Sequence, residues 1–239
     1  MTKSREKRES GVAAVVVLSG GQDSALCLAL AVRKYGAARV AAITFEYGQT
    51  HGVETRYARR LARRFGVARH QVVKFGFYRA LTTSALLDPG RRIARPSGAS
   101  CPTTVVEGRN AFFILAAAVW AKSLGATEIH MGVSQTDYSG YPDCRDVFIR
   151  AQQRAIRLAM EWPFRIVTPF MRKTKREEWA LADRLGILDL IRRETVTCYR
   201  GIPGDGCGKC PACRLRAAGL REYLDGRRRS GGDRPAAVT

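Results

Sequence analysis

The chain has 239 residues, 46% of them hydrophobic and 26% charged, a balance that excludes wholesale disorder and suits one α/β domain with an appendage. Its longest apolar run, residues 111–121, falls well short of the roughly 20 residues a membrane helix needs. The basic start MTKSREKRES leads into a short apolar stretch and then a glycine loop, not a small-residue cleavage site, so a soluble, cytoplasmic protein is expected.

The formal charge is +20, from 41 Lys+Arg against 21 Asp+Glu. About a quarter of the excess lies in residues 1–10 and 226–239; the rest is spread through the body. It is densest over 53–79, where Arg56, Arg59, Arg60, Arg63, Arg64, Arg69, Lys74 and Arg79 face only Glu54. Such a field attracts polyanions. The paired arginines at helical spacing equally suit a solvated helix face, and no nucleic-acid-binding module accompanies them. Seven cysteines occur, at 27, 101, 144, 198, 207, 210 and 213, and an odd count in a chain of this kind argues against a disulfide framework.

In chain order, a β-branched run at Val12–Leu18 predicts a strand, followed by a glycine loop and a helix over Ser24–Tyr35. Val40–Phe45 reads as a strand, Val53–Phe65 as an Arg-rich amphipathic helix and Gln71–Phe75 as a third strand. Residues 82–108, punctuated by Pro89, Gly90, Pro96, Gly98 and Pro102, form a long irregular insertion of the kind that is functional or mobile. Arg109–Leu124 reads as a buried helix, Glu128–Val133 as a strand and Asp146–Met160 as a helix. A short strand follows at Arg165–Thr168, and a helix at Thr174–Leu185. Short apolar strands alternating with helices predict a parallel sheet covered on both faces. The expected division is a basic tail (1–10), the main domain (11–190), a cysteine-rich module (191–225) and a basic flexible tail (226–239).

Two features carry chemistry. Ser19-Gly20-Gly21-Gln22-Asp23-Ser24 joins the first strand to the first helix. Its glycines let backbone approach a ligand closely, and its hydroxyls and helix N-terminal N–H groups suit a phosphate. It has neither the Gly-Lys-Ser/Thr ending of a Walker loop nor the third glycine of a dinucleotide fingerprint. Ser-Gly-Gly-x-Asp-Ser resembles instead the signature of the ATP pyrophosphatases, the PP-loop enzymes that split ATP into AMP and pyrophosphate. The second feature is Cys198, Cys207, Cys210 and Cys213. Four thiolates at this spacing, with glycine and proline turns between them, predict a closed structural Zn²⁺ site, an iron–sulfur cluster being the competing occupant.

Together with these, Tyr47-Gly48-Gln49 with His51, Gly108-Arg109-Asn110, Asp137 to Arg145, Thr168-Pro169 with Lys175, and Thr197 to Arg216 resemble the 7-cyano-7-deazaguanine (preQ0) synthase family, QueC. The resemblance spans about Val12 to Leu224. It implies a Rossmann-like sheet of the adenine nucleotide alpha hydrolase-like kind and a homodimer. It implies a ligase that converts 7-carboxy-7-deazaguanine, ammonia and ATP to the nitrile, with Mg²⁺ on the nucleotide and Zn²⁺ in the protein. The nucleotide is expected on Leu18, Ser19, Gly20, Gly21, Gln22, Asp23, Ser24, Ala25, Leu26, Cys27 and Leu28, with Asp23 a Mg²⁺ contact. Lys175 and Arg145, with Asp23, are the candidate catalytic residues; the two cations neutralise pyrophosphate or adenylate charge. Tyr47, His51, Arg109, Asp137 and Asp143 are candidates for the substrate, one of the aspartates accepting the guanine-like edge bidentately. Cys144 is read as structural.

Two positions depart from the family pattern: Glu107, where proline is usual, and Thr50, where a basic residue is usual. The competing functions are a tRNA-modifying PP-loop adenylating enzyme, a relative acting on another deazaguanine acceptor, and a non-catalytic zinc-dependent nucleic-acid binder. Nucleic acid is not required by the favoured reading.

Overall fold

The computed structural model describes residues 11–50, 52–94, 102–135 and 141–229. Its sheet begins with β1 (Ala14–Val17), whose four residues are all buried, and α1 (Gln22–Tyr35) follows directly. The unit repeats as β2 (Val40–Glu46), α2 (Val53–Arg64) and β3 (Arg69–Lys74). A single helical turn, α3 (Tyr78–Leu81), opens the irregular insertion, and α4 (Arg109–Ser123) closes it. After β4 (Glu128–Met131) come α5 (Asp146–Met160), β5 (Arg165–Val167), α6 (Lys175–Arg184) and α7 (Leu188–Arg193). The last helix is α8 (Pro211–Arg229).

The five strands are all parallel, in the order β3-β2-β1-β4-β5. Strand β1 is central because it is buried on both faces. Alternation sends Val15 and Val17 into the layer shared with Phe113, Ile114, Ile149 and Ile156 of α4 and α5. Val16 and Leu18 go into the opposite layer, with Leu26 and Leu28 of α1, Leu61 of α2 and Trp179 of α6. The expected Rossmann-like architecture, helices on both faces of a parallel sheet, is therefore the one observed.

The differences are local and have physical reasons. Strand β3 starts two residues before its expected position, because an edge strand tolerates the exposed polar residues Arg69 and His70. Strand β4 stops at Met131 because Gly132 passes against the Ser19–Ser24 turn: a Cβ there would lie 2.5 Å from the carbonyl carbon of Asp23. On α2, Thr55, Ala58, Leu61 and Ala62 face the core while the arginines stay exposed. Arg60 pairs with Glu194 at 2.8 Å. Beyond residue 190 the chain is not confined to a small knuckle. Helix α8 runs to Arg229, across the expected boundary at 225–226, and packs on α6 so closely that a Cβ on Gly219 would lie 2.4 Å from the Lys175 Cβ.

Candidate active site at the carboxyl ends of the strands

From β1 the chain moves outward to β2 and β3, then returns to the other side of β1 for β4 and β5. In parallel sheets this reversal opens a crevice at the carboxyl ends of the strands, where ligands bind. A cavity of about 560 Å³ lies there, lined by Ser19, Asp23, Tyr47, Arg109, Lys175 and Thr197 among others. The insertion supplies part of the wall through Leu86, Ile93, Ala94, Pro102 and Thr104.

The Ser19–Ser24 turn is held by its own hydroxyls. Ser24 Oγ donates to the Gly21 carbonyl at 3.0 Å and receives the Ser19 N–H at 3.2 Å. Ser19 Oγ receives the Gly21 N–H at 3.3 Å. Gly20 adopts φ +86, and a Cβ there would lie 2.5 Å from the Glu54 carbonyl oxygen of α2, so glycine is required on two counts. Leu18, Ser19, Gly21, Gln22, Asp23 and Ser24 face the cavity. Ala25, Leu26, Cys27 and Leu28 do not: they are fully buried core on α1. Burial and the nearby Asp23 raise the Cys27 thiol pKa far above its usual range. The side chains of these four expected nucleotide contacts are thus turned into the core, as the next turn of a helix leaving a central strand is.

Lys175, the first residue of α6, is not the exposed lysine a basic stretch suggests. Its side chain is only 7% exposed, and Nζ donates to both Asp23 oxygens at 2.8 Å and to Glu178 Oε1 at 2.9 Å. Glu178 is fully buried and also accepts from Gln22 Nε2 at 3.2 Å. Burial, reinforced by repulsion from Asp23, pushes its carboxyl well above the usual carboxylate range. The lysine therefore pairs with carboxylates at the Ser19–Ser24 turn, and it is Asp23, 27% exposed, that meets the cavity. Glu178 was not expected from sequence, although its i+3 spacing from Lys175 was visible.

Arg109 lies at the start of α4 and faces the cavity. Its guanidinium sits among the Tyr47, Phe113 and Tyr141 rings at 5.7, 5.9 and 5.9 Å, and Nη1 donates to the Tyr47 hydroxyl at 3.2 Å. Its Nε is buried with no hydrogen-bond partner among the described residues. No carboxylate among those residues forms an ion pair with it, so an anionic ligand is the natural complement. A hydroxyl ladder borders it: Thr104 Oγ1 and Tyr141 OH are 2.6 Å apart, and Tyr141 OH and Tyr199 OH 3.4 Å.

Two candidates are placed elsewhere. Asp143 does not line the cavity; its carboxylate receives the Asn110 N–H at 2.8 Å and Asn110 Nδ2 at 3.2 Å, satisfying the N-terminus of α4. Arg145 is exposed, precedes α5 and donates from Nε to the Pro142 carbonyl at 3.0 Å. Residues 142–145, which carry both, thus bond to one another and to α4. His51 and Asp137 lie outside the described residues. Cys144 lines the cavity, but burial and the neighbouring Asp143 push its thiol up to about 12, so it stays protonated. Of the two departures, Thr50 lines the cavity, while Glu107 is exposed and accepts from Thr82 outside it.

The four cysteines of the C-terminal module bring their sulfurs within 4.8 Å of one another. Gly206 passes the cluster at φ +72, and a Cβ there would lie 2.4 Å from Cys213 Sγ. Cys207 Sγ accepts the N–H groups of Lys209 and Cys210 at 3.4 and 3.3 Å, and these bonds pull its thiol down to about 6. Four convergent sulfurs, one of them already stabilised toward thiolate, suit a metal ion.

The family described as queuosine biosynthesis protein QueC matches residues 13–224. The chain belongs to that family. Among solved structures, this QueC-family fold is similar to NMN synthetase from Francisella tularensis, with TM-score 0.52 and 15% identity over 98% of this chain and 91% of that one. At that identity the likeness shows the fold alone. Among the described residues, no helix of this QueC protein is long and apolar enough to cross a membrane.

Proposed function

We propose that the protein is a 7-cyano-7-deazaguanine synthase: an ATP-dependent ligase that joins ammonia to 7-carboxy-7-deazaguanine and dehydrates the amide. The observation that carries this reading, beside family membership, is one cavity holding both the Ser19–Ser24 turn and the half-buried Arg109, whose Nε has no partner among the described residues. A carboxylate is a poor electrophile. An acid oxygen attacks the α-phosphorus of ATP and pyrophosphate leaves; ammonia then displaces AMP from the acyl carbon, giving the amide and a proton. The amide oxygen attacks a second ATP, pyrophosphate again leaves, and loss of AMP with the remaining nitrogen protons gives the nitrile.

The residues divide this work. The Ser19–Ser24 turn and the N-terminus of α1 hold phosphate oxygens. Lys175 keeps Asp23 in place, and each Asp23 oxygen retains a lone pair for the Mg²⁺ that accompanies the nucleotide. Arg109 receives the substrate's carboxylate among aromatic rings that also suit a flat heterocycle. Cys198, Cys207, Cys210 and Cys213 would hold Zn²⁺, which with four thiolate ligands would supply folding energy for the module rather than chemistry.

The protein acts as a homodimer on this reading. Phe112, Leu115 and Val119 share the outward face of α4, and Phe77 packs beside Phe112 with ring centroids 4.9 Å apart. They give an apolar exposed stripe that a second copy covers. The deciding experiment supplies carboxydeazaguanine, ammonium and MgATP without RNA and identifies products by mass spectrometry. Nitrile with two AMP per turnover supports the proposal. Amide alone, or turnover only when tRNA is added, replaces it with the relative that stops early or with a tRNA-modifying adenylating enzyme. ADP formation overturns the adenylation chemistry.

A further inference from the structure

Thr197 lies outside the Ser19–Ser24 turn, on the segment linking α7 to the cysteine module, yet it lines the same cavity. Two donors converge on its Oγ1: Arg216 Nη1 at 2.8 Å and the backbone N–H of Gln22, the first residue of α1, at 3.4 Å. A hydroxyl oxygen offers two lone pairs and one proton. With both lone pairs occupied, the proton is left to donate, and among the described residues nothing accepts it. The segment is held in register by the adjacent Val196, whose N–H donates to the Gly20 carbonyl at 2.8 Å.

Behind Thr197 stands Arg216, only 3% exposed and packed over the Trp179 ring at 5.3 Å. Nη1 and Nη2 also donate to neutral oxygens: Thr195 Oγ1 at 2.7 Å, the Ile191 carbonyl at 2.9 Å and the Arg192 carbonyl at 2.8 Å. Among the described residues no carboxylate pairs with it. Asp205 and Asp23 act on its charge without forming an ion pair with it, and the guanidinium polarises the Thr197 hydroxyl that it bonds. Cys198 follows Thr197 directly and Cys213 lies three residues before Arg216 on α8, so the cysteine module's fold places both.

We propose that Thr197 is a further phosphate-binding residue: its Oγ1–H donates to a phosphate oxygen of the nucleotide, with Arg216 as the positioning residue that holds and polarises the hydroxyl. This rests on the reading of Ser19–Ser24 as the nucleotide site. The test is calorimetric titration of the metal-loaded full chain with MgATP and, separately, with magnesium pyrophosphate. Thr197→Val weakens both by about 10- to 100-fold, the range for a hydrogen bond to a charged group, while Thr197→Ser stays within about threefold of wild type. Both variants keep wild-type metal content and stay folded at the titration temperature, although valine, which takes an acceptor from Arg216 Nη1 and the Gln22 N–H, melts a few degrees lower. Where valine disturbs either, Thr197→Ala replaces it, and rescue by serine against alanine decides in the same way. If wild type binds both ligands and the valine variant binds as tightly, or serine is as weak as valine, the inference is wrong and the loop assignment survives. If wild type binds neither ligand, the loop assignment itself has failed.

Discussion

Lys175→Met tests the electrostatic arrangement at the phosphate loop most directly. The change removes the ammonium that bonds Asp23 at 2.8 Å and Glu178 at 2.9 Å, and leaves Glu178, at 0% exposure, without its cation. Breaking a buried pair from one side costs about 3–5 kcal/mol, and for a domain of this size that lowers the melting temperature by roughly 6–20 °C. The deficit depends on pH in a direction the structure fixes. Burial and Asp23 raise the Glu178 pKa in the folded state, so the native protein binds more protons than the unfolded one and stability falls as pH rises from the ordinary carboxylate range toward the raised value. Removing the lysine raises that value further, so the loss is smallest near pH 5 and largest near pH 8. Adding Glu178→Gln keeps a partner for Gln22 and removes the uncompensated charge; this double variant recovers most of the stability but not ATP turnover. The assay is thermal unfolding by circular dichroism at both pH values, with AMP release measured in parallel. A Lys175→Met protein melting within about 2 °C of wild type at both pH values refutes the buried arrangement.

Three further outcomes follow from the same structure. Arg109→Met removes the cationic partner of the substrate acid, so the KM for carboxydeazaguanine rises about 10- to 100-fold while the KM for ATP stays within about twofold, as steady-state kinetics will show. Asp143→Asn leaves that KM unchanged, because its carboxylate serves Asn110 and the start of α4; it lowers stability by about 1 kcal/mol, read from denaturant unfolding. Cys210→Ser opens the four-sulfur cluster, so metal content measured by atomic absorption falls below one ion per chain and the Cys198–Cys213 segment becomes sensitive to limited proteolysis.

What is legible in the sequence depends on which interactions are local. Strand β1, the glycine turn and helix α1 are written in adjacent residues, so the turn's chemistry is readable from residue types alone, as are four cysteines within sixteen positions. Asp143 is expected at the ligand because strand-end loops generally face it, whereas in the structure its carboxylate accepts the N–H of Asn110 on α4, 33 residues away in sequence. Lys175 can be named from its motif but not understood, since its environment is assembled from Asp23, 152 residues distant. Thr197 and Arg216 sit inside a segment whose conspicuous pattern is its cysteines, and the link to Gln22 spans 175 residues. The common cause is that a buried charge is defined by its partners. Residue type and spacing identify a phosphate turn or a thiolate cluster, but whether a lysine is a free cation or already neutralised is settled only when the sheet brings α1, α6 and α8 together around one end of β1.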